Sequence, residues 1–167
     1  NLYISCPTFS GDGIHILATA RNQKGQMALI KQNRITGDIQ VITPYTFAVI
    51  GKPVESGAWI YATCGIGDLD QIYATNDKGL WYQVSDGLRA HYNPTFDPVD
   101  QMLVCEEYWL TGKKLVRIPI DPSVWPEVNF GNGIPDVAGA SGRDLLSEPP
   151  TDTSFSIRKY SLWPDII

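Results

Sequence analysis

The chemistry open to this chain of 167 residues rests on two histidines, His15 and His91, three cysteines and a few acidic pairs. An imidazole acts as a general base or a metal ligand when a second ligand or an acid stands at fixed spacing, as in His-Glu-x-x-His. Neither histidine has such a partner in sequence. His15 lies inside an uncharged run and His91 in a stretch that reads as a loop, so both are read as structural or surface residues. No Gly-x-Ser-x-Gly elbow is present to expose a serine nucleophile; Ser56 and Ser141 have adjacent glycines without that arrangement. Cys6, Cys64 and Cys105 lie far apart, with neither the paired spacing of a zinc site nor the density of a disulfide scaffold, and all three are read as small buried hydrophobes. The chain is therefore assigned no catalytic residue, no metal and no cofactor.

The carboxylates offer more. Asp68 and Asp70 fall in Gly65-Ile66-Gly67-Asp68-Leu69-Asp70, where flexible oxygen ligands would suit calcium, although the pattern is not an EF-hand loop and a solvated hairpin is the plainer reading. Asp97 and Asp100 follow a proline and are expected to close turns by accepting bonds from nearby backbone. Glu106 and Glu107 are adjacent at a strand end, so they point to opposite faces and cannot work as an acid–base pair. Among the aromatic residues, Trp59, Tyr61, Tyr73, Trp81 and Tyr82 sit where strands would bury them. Tyr108-Trp109, just before Leu110-Thr111-Gly112, stands at a hairpin tip that cannot bury both rings. Tyr108, Trp109, Asp68 and Asp70 are thus the candidate binding residues. Aromatic rings serve protein interfaces and sugar stacking alike, so a protein and a glycan both remain possible ligands.

The elements that must position these residues are strands. With 43% hydrophobic residues, 5 Trp, 8 Tyr and 5 Phe the chain can fill a core, and with 13 basic against 18 acidic residues it lacks the footprint of a nucleic-acid binder. No run reaches the roughly 20 apolar residues of a membrane-spanning helix. Asn1-Leu2-Tyr3-Ile4-Ser5 reads as a strand and not as a leader. Strands are predicted over 14–20, 26–31, 39–43, 59–64, 71–75, 80–84, 101–105 and 114–118, separated by turn signals such as Asp12-Gly13, Gly25 and Thr36-Gly37-Asp38. The order recurs. Prolines 7, 53 and 94 open three units, 46 and 41 residues apart, and Pro-Thr-Phe is identical in the first and third. That period matches the roughly 40–50 residues of a four-stranded propeller blade. A blade packs on both faces, which explains its nearly uncharged strands. Each proline is expected at a strand start, with the following aromatic packed between blades.

These residues resemble the TolB-like, WD-repeat-like β-propellers of bacterial envelope proteins. Pro7-Thr8-Phe9-Ser10-Gly11-Asp12-Gly13 is similar to the opening of that family's unit with Gly11 in place of the usual proline; Gln71-Ile72-Tyr73 resembles its third strand and Gln83-Val84-Ser85-Asp86-Gly87 its close. Asn93 to Asp100 departs more, and Lys52 to Gly57 most. The resemblance implies an all-β fold of antiparallel four-stranded blades, about three of them over residues 1–129, followed by an irregular Gly/Pro-rich tail over 130–167. It implies a non-catalytic binding or scaffolding module of the cell envelope, periplasmic or outer-membrane associated, whose partner is another protein or the remaining blades. The alternative is part of a larger envelope enzyme, a glycan-active hydrolase or a metallopeptidase-linked protein, with its catalytic residues largely elsewhere. Glu107 to Ile118 is also similar to a final propeller unit preceding an outer-membrane barrel, and Arg158 to Pro164 to the connector into it. In the tail, Arg143 to Leu146 is expected to form a helical turn and Ser156 to Tyr160 a last strand. Closed propellers need at least four blades, so three leave two faces unstacked.

Overall fold

The computed structural model describes residues 2–76 and 78–130; the tail expectations at Ser141, 143–146 and 156–160 lie outside them. The described residues form thirteen strands in three antiparallel sheets and no helix. The first sheet is a plain meander of β1 (Tyr3–Phe9), β2 (His15–Arg21), β3 (Met27–Asn33) and β4 (Ile39–Val41). Its turns follow from side-chain chemistry. Asp12 accepts the backbone N–H groups of Ile14 and His15, Asn22 those of Lys24 and Gln26, and Asn33 those of Ile35 and Thr36. Gly13, Gly25 and Gly37 take the positive φ angles that these tight connections require.

In the second sheet β5 (Val49–Ile50) and β6 (Val54–Ser56) both pair with β7 (Trp59–Gly65), followed by β8 (Gln71–Thr75) and β9 (Trp81–Gln83). The third holds β10 (His91–Asp97), β11 (Met102–Trp109) and β12 (Gly112–Pro119). The chain then turns back, and β13 (Glu127–Val128) adds to the β9 edge of the second sheet. That return was not legible in the sequence, because two residues carry no period.

Pro7 and Pro94 lie inside strands and not at their starts, whereas Pro53 stands immediately before β6. In β1 the register shifts between Ser5 and Thr8, in β10 between Tyr92 and Thr95, and between β5 and β6 pairing lapses from Gly51 to Pro53. Each outer strand carries one residue more than its partner, with the proline immediately before pairing resumes at Thr8↔Leu17, Val54↔Tyr61 and Thr95↔Val104. A bulge is where a strand can tolerate a residue with no N–H to donate. Cys6 and Asn93, each just ahead of its proline, share a φ of 52°.

The sheets stack in sequence order. Leu17, Met27 and Leu29 of the first pack on Ile50, Ile60, Ala62, Cys64, Tyr73 and Trp81 of the second. From the other face of the second sheet, Tyr61, Ile72 and Ala74 meet Leu103 and Cys105 of the third. Strand alternation makes this possible: in 59–64 neighbouring residues bury on opposite sides. Residues 125–130 hold the middle sheet's edge from both sides. Trp125 joins the second cluster, with its ring 5.3 Å from Trp59 and 6.0 Å from Tyr61, while Phe130 stacks on Trp81 at 4.6 Å. Phe130 therefore packs against the core of the described residues. Cys64 and Cys105 are buried as expected, but Cys6 is exposed at the β1 bulge.

Candidate functional site

The loops after β7, before β10 and between β11 and β12 meet at one end of the second and third sheets. Asp70 lies there, folded back over Gly65, where a Cβ would come within 2.5 Å of its Oδ1. The Tyr92 hydroxyl donates to Asp70 Oδ2 at 2.5 Å, and this bond, with some burial, pushes the phenol up to about 12. The Tyr108 ring lies 4.7 Å from that of Tyr92, and Lys113 sits 4.8 Å from the Tyr108 centroid while pairing with Glu106 at 2.8 Å. The bond from Lys113 comes first among the causes that hold the Glu106 carboxyl below its usual range, and a side-chain bond from Asn93 adds to it.

Tyr108 and Trp109 are 44% and 36% exposed, yet they do not form one patch. Alternation along β11 sends them to opposite faces, which the sequence reading of a joint patch overlooked. Trp109 carries the Arg89 guanidinium at 3.7 Å and the Lys114 ammonium at 3.6 Å from its ring centroid. Cations at those distances are attracted through the ring quadrupole. Asp68 stands exposed on the same loop as Asp70 with no ion pair or side-chain hydrogen bond among the described residues. Asp70 is committed to Tyr92, and no group of three His, Cys, Asp or Glu side chains among the described residues could share a metal ion.

Beneath this rim lies a buried polar relay. His91 is in β10 and 7% exposed, not in a loop as its sequence surroundings suggested. Its Nδ1 lies 2.8 Å from Gln71 Oε1, which also accepts the Ser85 hydroxyl at 2.7 Å, while Gln71 Nε2 donates to the Arg89 carbonyl. Glu107 Oε1 stands 3.5 Å from His91 Nε2. No buried side-chain polar atom among the described residues lacks a hydrogen-bond partner, and the bond from Gln71 fixes the segment that delivers Arg89. Glu106 and Glu107 are parted to opposite faces, as adjacent strand residues must be.

A second charged cluster, unrecognised in the sequence, lies at the other end between the first and second sheets. Glu55 accepts from the Ser10 hydroxyl, from Gly11 N–H at 2.8 Å and from Lys31 at 3.3 Å. Burial raises its carboxyl, but these three donors outweigh it and hold the group below its ordinary value. Asp12 reaches Lys31 at 3.7 Å and orients His15 through a 2.7 Å contact to Nδ1. Backbone bonds from His15 and Ile14 and that imidazole hold Asp12 far below the usual range. The serine hydroxyl is turned to Glu55 and not to His15, so the trio Ser10, His15 and Asp12 does not compose a nucleophilic triad. The signal that could have found Glu55 is its place in the unit: it stands where Phe96 stands in the third, two residues after the proline.

The described residues include no helix long and apolar enough to cross a membrane. No protein-family model matches the chain, and no curated protein matches it.

Proposed function

We propose that this chain is a non-catalytic binding and scaffolding module of β-propeller type, similar in plan to the TolB-like propellers of the bacterial envelope, and that its ligand is a protein. The observation that supports the plan is the repeat of one bulge-and-register geometry in three consecutive, stacked sheets. A blade-like sheet needs a neighbour on each face, and this chain supplies both for its middle sheet, in sequence order. The rim at Arg89, Trp109 and Lys114 supports a protein ligand over a glycan. Its aromatic ring already holds two cations, so it presents positive charge around an apolar body, suited to acidic side chains of a partner. The groups capable of acid–base work are engaged in structural bonds, His91 with Gln71 and His15 with Asp12.

The test is a comparison of the full chain with an Arg89→Glu, Lys114→Glu variant in capture from envelope extracts and in a hydrolase screen on glycosides and peptides. Partners captured by the wild type and lost by the variant, with no turnover by either, are expected. Turnover that disappears in Asp70→Ala or Glu106→Ala would overturn the non-catalytic reading.

A further inference from the structure

We infer that the buried pair of His91 and Glu107 sets the charge of the cationic rim, so that uptake of one proton by the pair strengthens the rim's hold on an acidic partner. This rests on the reading of the rim given above and names its regulation.

Every exchangeable hydrogen around the His91 ring but one is fixed by a neighbour. A carbonyl only accepts, so the Arg89 carbonyl turns Gln71 Nε2 toward itself, at 2.9 Å, and leaves Oε1 for the other partners. Ser85 Oγ accepts the Ile72 N–H at 2.8 Å and is left to donate to Oε1 at 2.7 Å. Oε1 cannot donate, so His91 Nδ1, 2.8 Å away, must carry a hydrogen. That leaves Nε2, which faces Glu107 Oε1 at 3.5 Å. In the neutral imidazole a lone pair there opposes a carboxylate, whereas in the imidazolium an N–H points at it. His91 is the only ion-pair partner of Glu107 among the described residues. Two acceptors facing each other at a ring that is 7% exposed form an arrangement that a proton relieves. The proton belongs to the pair, whose negative charge is cancelled when it binds.

That charge stands beside the rim. Glu107 and Trp109 lie on one face of β11, two residues apart, and Lys114 is directly opposite Glu107 in β12, where paired residues come within about 5 Å at Cβ. Lys114 keeps its ammonium on the Trp109 ring, at 3.6 Å, with the Arg89 guanidinium at 3.7 Å. An unprotonated pair therefore offsets part of the rim's positive potential, and a protonated pair releases it. The other groups around His91 do not compete for this role. Gln71 and Ser85 are neutral, and the Asp70 carboxylate is bonded to Tyr92. Burial pushes the thiols of Cys64, opposite Gln71 in β7, and of Cys105 in β11 well above neutrality. His15, the other imidazole, stands far off with Asp12, at the junction of the first and second sheets. An imidazole is the side chain that ordinarily changes charge between about pH 5 and 8, and His91 is the one beside the rim. Affinity for an anionic partner should rise as pH falls through that range, and by reciprocity a bound partner should hold the proton on the pair to higher pH.

The test uses the full chain and a fluorescent octa-aspartate peptide, with binding read by anisotropy at about pH 8 and about pH 5.5 and one low ionic strength. Aspartate carboxylates stay ionised across that range. Wild type should bind about fivefold or more tightly at the lower pH. Glu107→Gln, uncharged at both, should bind at the higher pH as tightly as wild type does at the lower and lose most of the dependence. Arg89→Glu, Lys114→Glu should bind at neither. In the wild type, imidazole nitrogen NMR should show hydrogen on His91 Nδ1 at both pH values and on Nε2 only at the lower, with the peptide moving that change upward in pH. Wild-type binding that does not change with pH, a Glu107→Gln variant that keeps the wild-type dependence, or hydrogen on Nε2 in place of Nδ1 at the higher pH overturns the switch and leaves the rim reading standing. Binding that survives Arg89→Glu, Lys114→Glu, or no binding by wild type at either pH, overturns the rim reading and the switch with it.

Discussion

The middle sheet is held on its two faces by junctions of the same register and opposite chemistry. Toward the first sheet, the position two residues after the proline is Glu55, bonded to Ser10, Gly11 and Lys31. Toward the third sheet it is Phe96, against Trp59 and Tyr61, with Trp125 closing the cluster by edge-on ring contacts. The polar key costs desolvation and returns it only if every donor is in place, so it gives alignment more than strength. The aromatic junction is non-directional and gains from area removed from water. One register can therefore be filled by either kind of interaction, because the bulge and a buried threonine, Thr19 or Thr63, set the alignment independently of both.

Substitutions that act on one junction at a time would break or sharpen this contrast. The largest effect is expected from Trp125→Ala, which empties the centre of the aromatic junction and should cost about 3–5 kcal/mol in urea unfolding. Leu29→Ala, in the first junction, should cost somewhat less, about 2–4 kcal/mol by the same measurement. Equal or reversed losses would show that the aromatic junction is not the stronger. Thr19→Val and Thr63→Val should each cost about 1–2 kcal/mol, since each removes a bond between a buried hydroxyl and the next sheet's bulge. A loss at only one site would show that the shared register is not a shared restraint.

Acid should separate the junctions as well. The folded state holds the Glu55 carboxyl below its unfolded value of about 4.3. Ionised Glu55 therefore stabilises the fold above that pH, and the contribution fades as pH falls through the lower folded value. Hydrogen exchange of the first sheet should accelerate below about pH 4.3 before that of the third, and Glu55→Gln should remove the difference. The smallest effect is expected from Lys114→Ala at the exposed rim, about 0.5 kcal/mol in stability, read with the Trp109 emission.

Much of this was legible in the chain. Uncharged runs between Asx and glycine turns marked most of the strands, though not β6, β10 or β13, and Pro7, Pro53 and Pro94 gave the period. The position of Pro7 and Pro94 inside bulged strands was not, since a proline reads alike at a strand start and at a bulge. At the candidate site, Tyr108 and Trp109 were marked by the hairpin tip, and Asp70 by its loop. Arg89, Tyr92 and Lys114 were missed because a cation beside an aromatic in space leaves no spacing in sequence. Glu55 was missed because its partners lie 24 to 45 residues away.

What the sequence determined by itself is local: turn chemistry, strand alternation and a repeating unit, each encoded within a few residues by backbone and side-chain sterics. The tertiary structure decided which repeat touches which, that residues 125–130 return to the middle sheet, and that His91 and Asp70 become structural anchors. Those choices depend on long-range burial and on pairing of polar groups across sheets, which acquire their energy only once the sheets have met.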